Sequence, residues 1–455
     1  MRKYRLCWDK LLSPCRVSIS AFEGKENISI RFSKTQGDSR SPFERDYCHL
    51  VYSSSFRRLG RKTQVYPFAD VDYVRCRLTH SLEVSTIAAS LLRDVWLMFE
   101  AEGRHLFHYQ DADWVLRTAG LAHDIGNPPY GHAGEKAIRE WASKNIDEGE
   151  PYYRDFVLYD GNGESFRLLS RNDIRKSLYH NLTVASLGAI VKYPYSVRDA
   201  NKEHPKFGTF GEDEKIFDAV MNHLGLKGDD GKYIRHPLSF LLEAADDISY
   251  ILADLEDSAI MSIFTEREVK RLYCEVLPSK CVKLNATSGS NGSPANKAIW
   301  RKLEIESLRS KVADVLIKAY SKTFVQLYDR IMNGEVKTGD DFLCELPASL
   351  LHWIVKIRKK LKTAYASDVV VKKEKKGRKE LFDLLDKWMG MLKYAPPFNK
   401  KIPKHDLPLV KQILGDDFKN YRNTRSKSWW AHVIMDYVVG MTDDFSRRCA
   451  GSRAI

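Results

Sequence analysis

Two histidines and two acids in one short segment, LAHDIGNPPYGHAGE, are the residues of this sequence best suited to chemistry. His123 and Asp124 follow an apolar run, and Gly126 with two prolines then ends that helix. Neutral imidazole and carboxylate are ligands that suit a divalent metal ion. His132 and Glu135 begin the next helix, where residues three apart share one face. The carboxylate can therefore orient the imidazole for proton transfer to or from water or a leaving group.

Further metal ligands have to come from other parts of the chain. His80 lies in an amphipathic helical pattern, and Asp246 and Asp247 are adjacent acids inside an apolar one. Unpaired acids are costly to bury, and a metal ion would remove that cost. Taken singly, each residue has a simpler interpretation: a histidine hydrogen-bonded in the core, or an acidic pair on an exposed face. The combination of all three stretches is what predicts a metal site.

The elements that must position these residues are mainly helical. Apolar residues recur at spacings of three to five with polar residues between them, as in Leu78, Leu82, Ile87, Leu91 and Val95. Further helices are predicted at residues 238–260, 298–332, 349–361, 379–394 and 429–445. Strand signals are few, and the clearest is residues 368–371 (DVVV). No strand–helix alternation or fixed-period repeat is visible, so the predicted fold class is mainly α with little β.

The chain divides into four predicted regions. Residues 1–40 form an N-terminal arm, 41–285 a catalytic region, 286–297 a flexible loop rich in Ser, Gly and Asn, and 298–455 a C-terminal helical region that completes the same globule. The basic run KKEKKGRK at residues 372–379 fits a solvated turn at least as well as a nucleic-acid contact.

Charge and cysteine content restrict the class of protein. Lys and Arg exceed Asp and Glu by 13, which favours polyanionic partners, although a solvated basic surface has the same composition. The eight cysteines contain no C-x-x-C pair or zinc-ligand spacing, so reduced thiols are expected. No window is apolar enough to span a bilayer, and a cytoplasmic location is expected.

Longer strings resemble those of the bacterial dGTP triphosphohydrolase family, within the HD superfamily of metal phosphohydrolases. The HD pattern of a histidine, a His-Asp pair and a later aspartate is present, and the likeness is strongest over residues 40–260. The strings that carry it stand in the family's order at residues 57–65, 77–84, 123–135 and 243–250, and residues 181–183, 192–194 and 440–443 also look like family segments. The resemblance implies a helical HD-domain bundle with an additional C-terminal helical region.

The resemblance also implies a role for particular side chains. One divalent ion, Mg²⁺ or Mn²⁺, would be held by His80, His123, Asp124 and Asp246. Asp246 is chosen over Asp247 because the family's metal aspartate stands four residues before a substrate-contacting tyrosine, here Tyr250. The catalytic pair would be His132 with Glu135. Substrate contacts would come from Gln64 at the sugar, Lys192 and Tyr193 at the triphosphate, and Tyr250 and Asp254 in the pocket.

The implied reaction converts dGTP, or another dNTP, and water into a deoxynucleoside and triphosphate by attack at the α-phosphorus. Whether His132 acts as base, acid or nucleophile is left open. Two alternatives remain: an HD-fold phosphohydrolase for another nucleotide, and a nucleic-acid-binding regulator. Single-stranded DNA as effector and a homo-oligomer, such as a hexamer, are further expectations from the family.

Two departures from the family pattern concern the substrate contacts. His49 stands where the family usually carries an arginine, and the family's C-terminal arginine has two candidates, Arg422 and Arg425.

Overall fold

A computed structural model describes residues 6–22, 25–32, 37–66, 73–171, 180–200, 206–278, 294–395, 402–404, 406–415 and 425–451. The first half contains α1 (Trp8–Leu11), β1 (Arg16–Phe22), β2 (Lys25–Arg31), α2 (Pro42–Tyr52), α3 (Ser54–Arg58), α4 (Arg77–Ala101), α5 (Tyr109–Ala122), α6 (His132–Asn145), α7 (Tyr153–Val157), α8 (Gly161–Ser170), α9 (Val184–Ile190) and α10 (Glu214–His223). The second half contains α11 (Pro237–Ile260), α12 (Glu266–Cys274), α13 (Pro294–Met332), α14 (Gly339–Leu343), α15 (Ala348–Tyr365), α16 (Asp368–Met389), α17 (Leu407–Leu414), α18 (Lys427–Val439) and α19 (Asp443–Gly451). The predicted mainly α class is confirmed.

A close crossing of α4 and α5 sets the centre of the fold. Gly120 on α5 lies so near α4 that an added Cβ would stand 2.6 Å from the Ser85 Cα, so only glycine fits there. His123 follows Gly120 by one helical turn, and His80 lies on the same helix as Ser85. The crossing therefore brings these two histidines together, although they are distant in sequence.

Helix α11 crosses behind this pair and is apolar on most of its surface. Pro237 occupies its first turn, where a missing N–H costs nothing, and His236 caps it by accepting a hydrogen bond from the Leu238 amide. Most of its residues are buried, as is typical of a central helix. Helix α11 packs against α4, α5 and α13, and it carries Asp246 to the crossing.

The predicted strand at residues 368–371 is wrong, because these residues form the first turn of α16. Ser367 lies at the N-cap and Asp368 in the first turn, both favourable at a helix start, and a helix-forming Lys- and Glu-rich stretch follows. The same helix continues through residues 372–379, so the interpretation of that run as a turn is also wrong. β-branched residues inside a longer helix were mistaken for a strand.

The N-terminal region contains a hairpin that the sequence analysis missed. Strands β1 and β2 pair antiparallel from Arg16 opposite Arg31 to Phe22 opposite Lys25. The period-two alternation was present, with Val17, Ile19 and Ile28 packing on the core side. Residues 286–293 of the predicted flexible loop lie outside the described residues, whereas 294–297 begin α13.

Within the described parts of the chain, no helix combines the length and the apolar character that crossing a bilayer requires.

Candidate active site

Three ligand-type side chains from α4, α5 and α11 meet at the helix crossing. Nitrogen and oxygen atoms of His80, His123 and Asp246 all lie within 4.8 Å of one another. The His80 Nε2 is 3.1 Å from the Asp246 Oδ1, and the two imidazole rings are 5.3 Å apart between centroids. The two imidazoles are almost completely buried.

The hydrogen bonding of His123 shows that this group suits a cation. Its Nδ1 lies 2.8 Å from the Gly120 carbonyl oxygen, which only an N–H can satisfy, so the proton of the neutral ring is assigned to Nδ1. The buried Nε2 then presents a lone pair and has no hydrogen-bond donor among the described residues. It lies 3.5 Å from the Asp124 Oδ1 and 3.6 Å from the Asp246 Oδ1. Because this lone pair faces two carboxylate oxygens and no donor, the arrangement favours a metal ion between the three atoms.

Asp124 is held beside this trio by donors on both of its oxygens. Arg77 donates to Oδ2 at 2.7 Å, and the Asn127 amide donates to Oδ1 at 2.6 Å. The Arg77 charge holds the pKa of Asp124 well below its usual range, although burial opposes this. Arg77 precedes His80 by three residues on α4, and that spacing could have identified it from the sequence.

The two adjacent acids of α11 have different partners. Asp246 faces the histidines and accepts an ion-pair hydrogen bond from the Lys192 ammonium at 2.5 Å on its other oxygen. Asp247 instead pairs with Arg358 of α15 at 2.8 Å. Burial raises the pKa of Asp247 to about 7, although the Arg358 charge opposes the rise. The geometry therefore brings Asp246, and not Asp247, to the candidate metal ligands.

His132 and Glu135 form a second polar unit at the start of α6. The His132 Nδ1 lies 3.0 Å from the Glu135 Oε2, and the Gly161 amide donates to the other oxygen at 2.9 Å. Burial opposes ionisation of Glu135, but the His132 hydrogen bond and the Gly161 amide leave its pKa below the ordinary value. The Glu135 carboxylate is buried while the imidazole is 77% exposed, so the second ring nitrogen is available to a ligand.

These groups open into one cavity of about 480 Å³, a size typical of small-molecule sites. His80 lies behind the cavity wall, in contact with Asp246. The cavity is lined by the other sequence-predicted site residues: Gln64, His123, Asp124, His132, Glu135, Lys192, Tyr193, Asp246, Tyr250 and Asp254. The Gln64 side-chain oxygen is buried there without a donor among the described residues.

The C-terminal helices supply cavity residues that the sequence analysis missed. Tyr365, at the end of α15, donates a short hydrogen bond to Asp254, and Val370 and Glu374 of α16 complete that wall. Burial raises the pKa of Asp254 to about 7, although the Tyr365 hydrogen bond opposes the rise. No local pattern links residues this far apart in the chain, so no sequence signal could have found these contacts.

Of the two candidate arginines near the C-terminus, Arg425 does not line the cavity. Arg425 pairs with Glu26 at 2.7 Å and lies over the Trp429 ring, away from the cavity lining. Arg422 lies outside the described residues.

The strained turn between the two polar units is fixed from several sides. Tyr130 adopts a left-handed backbone conformation with φ of 64°, unusual for a residue with a side chain. Its amide donates to the Asp443 Oδ1 at 3.0 Å, while its hydroxyl contacts Glu380 and Ser446. Lys62 donates to the Asn127 carbonyl at 2.7 Å in the same turn.

The class of protein follows from a comparison with known protein families. The sequence model of the HD domain family matches residues 77–187, which include three of the four candidate metal ligands and the His132–Glu135 pair. With the helical fold and this site, the chain is an HD-domain hydrolase.

Proteins similar to this chain over much of its length then identify the family within that class. A "deoxyguanosinetriphosphate triphosphohydrolase-like protein" of Pseudomonas aeruginosa is 31% identical over 90% of this chain and 93% of its own length. One of the same name from Listeria monocytogenes is 32% identical over 97% of both chains. The "deoxyguanosinetriphosphate triphosphohydrolase" of Serratia proteamaculans is 35% identical over 56% of this chain and 58% of its own. The chain belongs to the dGTP triphosphohydrolase family, which confirms the resemblance seen in its sequence.

Proposed function

We propose that this protein is a metal-dependent deoxynucleoside triphosphate triphosphohydrolase that converts dGTP and water into deoxyguanosine and triphosphate. The observation that carries the proposal is that a buried His–His–Asp group, in which the His123 Nε2 has no donor among the described residues, meets a histidine paired with a buried glutamate at one cavity. The names of the similar proteins supply dGTP as the first substrate to test.

The candidate metal ligands are His80, His123, Asp124 and Asp246, which would hold one Mg²⁺ or Mn²⁺. Two neutral imidazoles and two carboxylates carry two negative charges, which a divalent ion balances. When bound, the ion supplies positive charge that polarises an α-phosphate oxygen. Lys192 donates to the Asp246 oxygen that does not face the histidines. Its positive charge outweighs the effect of burial and holds the pKa of Asp246 well below the usual range, so the carboxylate stays ionised.

His132 is the residue best placed to move the proton. Glu135 fixes its Nδ1, so the other nitrogen faces the cavity. Water forms a bond to the α-phosphorus, the bond from phosphorus to the 5′-oxygen breaks, and a proton of the water ends on the nucleoside 5′-hydroxyl. His132 can take the first proton or deliver the last.

The remaining cavity residues can orient the substrate. Lys192 and Tyr193 would contact the triphosphate, where a fixed ammonium stabilises developing negative charge. The unsatisfied Gln64 oxygen can accept a hydrogen bond from the sugar 3′-hydroxyl. Tyr250 and Asp254 would close the same pocket from α11.

Product analysis tests this proposal. Purified protein with dGTP and Mg²⁺ or Mn²⁺ is expected to release deoxyguanosine and triphosphate in equal amounts. Release of dGMP and pyrophosphate would show that the link between the α- and β-phosphates breaks instead of the bond to the 5′-oxygen, and no turnover of any dNTP would overturn the activity. Nucleoside monophosphates and cyclic dinucleotides are tested in the same assay. Hydrolysis of one of these, with no hydrolysis of dNTPs, would favour the alternative of another HD phosphohydrolase.

A nucleic-acid effector is a second proposal, motivated by α16. This helix exposes Lys372, Lys375 and Lys376 while its Val370 and Glu374 line the cavity, so a strand bound there would lie beside the substrate. Single-stranded DNA is expected to change the rate of dNTP hydrolysis. DNA binding in a protein that hydrolyses no nucleotide would instead favour the regulator.

A further inference from the structure

Asp160 is an acid of the catalytic cavity that has no role in the reaction described so far. It lines the same cavity as His132, is 4% exposed, and stands at the N-cap of α8. Its Oδ1 accepts hydrogen bonds from the Asn162 backbone amide at 2.9 Å and from the Asn162 side chain at 2.6 Å. No described residue bonds to its Oδ2, and this oxygen is accessible to solvent. One oxygen therefore caps the helix, and the other is available to a ligand.

The other acids of the cavity wall differ from Asp160 in their partners. Glu374 of α16 is only half-buried. The remaining six each have a cationic, histidine or tyrosine partner: Asp124, Glu135, Glu243, Asp246, Asp247 and Asp254. Asp160 is buried and makes no ion pair with any described residue. Such a carboxyl group is costly to bury, and groups of this kind are concentrated where proton transfer takes place.

Asp160 lies beside the His132–Glu135 pair. The amide of Gly161, the next residue in the chain, donates to the Glu135 Oε1 at 2.9 Å, while the Glu135 Oε2 holds the His132 Nδ1. A Cβ added to Gly161 would stand 3.2 Å from that Oε1, so the backbone after Asp160 is packed directly against the pair. Two groups that can exchange protons therefore meet in one part of the cavity.

The proposed reaction needs proton transfer at two oxygens. In an in-line displacement, the attacking water and the leaving 5′-oxygen lie on opposite sides of the α-phosphorus. His132 presents one nitrogen to the cavity because Glu135 holds the other, so a second group is needed at the other oxygen. Building on the proposed function, we propose that Asp160 is a second catalytic residue, whose Oδ2 takes the proton of the attacking water while His132 protonates the 5′-oxygen.

The proton transfers balance over one turnover. Water gives a proton to the Asp160 carboxylate as its oxygen bonds to the α-phosphorus. The bond from phosphorus to the 5′-oxygen breaks, its electron pair stays on that oxygen, and the His132 imidazolium supplies the proton there. The Glu135 carboxylate stabilises the imidazolium beforehand. One proton then passes from Asp160 to His132 through solvent before the next turnover.

The surroundings of Asp160 suit a carboxylate that acts as a base. Burial and the Glu135 charge raise the pKa of Asp160, although the Lys206 charge and the Asn162 hydrogen bonds oppose the rise. A general base is most effective when its pKa lies closer to the working pH.

The other titratable groups around Asp160 are displaced away from neutral pH. Burial opposes ionisation of Glu135, but its His132 hydrogen bond leaves its pKa below the ordinary value. Burial raises the pKa of Tyr159 and of Tyr195. Burial opposes the charged form of Lys206, but the Tyr193 and Asp160 charges raise its pKa. A titration that disappears when Asp160 is replaced can therefore be assigned to Asp160.

The variant Asp160→Asn tests the proposal, because asparagine caps a helix as well as aspartate does and cannot take a proton. With saturating metal ion and dGTP, kcat should fall at least about 100-fold, as expected when a general base is lost. Towards acid pH, log kcat/KM should fall with a slope about one unit smaller than in the wild type. A kcat within about 3-fold of the wild type would overturn the proposal. A slow variant with the wild-type pH profile would also overturn it, because Asp160 would then act only through structure.

Two further measurements separate chemistry from binding and folding. Calorimetric titration with inorganic triphosphate in EDTA should show binding to Asp160→Asn at least as tight as to the wild type, because a negative charge has been removed. Weaker binding would show a disturbed cavity and count against the proposal. Asp314→Asn, at an exposed position of α13, is the matched control and should keep the wild-type kcat and pH profile. A wild type that turns over no dNTP would overturn the proposed function itself, whereas turnover that Asp160→Asn leaves unchanged would overturn only this inference.

Discussion

His236 is expected to make the stability of this protein depend on pH in a measurable way. It is fully buried at the start of α11, the helix that carries Asp246. Its Nδ1 accepts from the Leu238 amide at 3.1 Å, and its Nε2 donates to the Leu11 carbonyl at 3.2 Å. A proton on Nδ1 would face another N–H, and the cap would be lost. Burial lowers the pKa of His236 to about 4, although the Leu11 hydrogen bond opposes this.

The size of the effect follows from the two pKa values. The unfolded chain binds a proton at the ordinary histidine pKa of 6.5, whereas the folded chain resists it until about pH 4. Between these values the unfolded state holds more protons, so the stabilisation is complete above pH 6.5 and is lost as the pH falls towards 4. The expected loss is about 2 kcal/mol between pH 7.5 and pH 5, and about 3 kcal/mol at lower pH.

The variant His236→Asn isolates this contribution. Asparagine is a strong helix cap that cannot be protonated, so it keeps the acceptor and removes the titration. Urea unfolding, followed by circular dichroism, gives the free energy of unfolding at pH 7.5 and at pH 5. The decrease between these two pH values should be about 2 kcal/mol smaller in the variant than in the wild type. His352→Asn, at an exposed position of α15, is the control and should behave as the wild type. The same pH response in all three proteins would refute the reasoning.

Three further outcomes are expected at the candidate site. His123→Ala should abolish metal binding and dNTP hydrolysis together while the helical signal in circular dichroism persists; metal analysis that still finds one ion per chain would contradict the ligand assignment. Glu135→Gln should lower kcat about 10- to 100-fold with KM nearly unchanged, because the carboxylate orients the proton-transfer group and is not placed on the substrate; steady-state kinetics that move only KM would count against this role. Gly377→Ala would put a Cβ 2.7 Å from the Tyr130 ring and should reduce kcat at least about 10-fold by shifting the turn before His132, whereas Gly390→Ala meets open space and should be silent in the same assay.

The short sequence motifs predicted residues of the candidate site, but they did not predict the residues that contact these from other helices. The segment from His123 to Glu135 contains both polar units within a helix end and a helix start, so spacing alone was informative. His80 and Asp246 could be proposed because a polar residue in an apolar helix is costly without a partner. Arg358 and Tyr365 had no such signal, since each is an ordinary residue until α15 packs against α11 and places it beside an acid.

The largest error in the predicted elements came from α16, and it has a structural reason. The run DVVV has strand propensity, and the following KKEKKGRK contains a glycine, which in a sequence indicates the end of a helix or a turn. In the structure Gly377 lies inside the helix against the Tyr130 ring, where any larger residue would collide. Tertiary contact, rather than local propensity, therefore selects both the helix and the glycine.

The turn from Asn127 to Gly131 shows why the chemistry depends on the far end of the chain. Its left-handed Tyr130 is costly and persists only when neighbouring groups fix it. Asp443 accepts from the Tyr130 amide and, through its other oxygen, from Thr63, so one carboxylate ties the turn to the segment that holds Gln64. Lys62 bridges the same turn to the end of α18 through the Val439 carbonyl at 2.8 Å. We therefore expect Asp443→Ala to retain metal binding and to lower kcat at least about 10-fold, because the turn that places His132 loses its tie to Thr63. Full kcat in Asp443→Ala, measured by steady-state kinetics, would show that this contact with the far end of the chain is dispensable.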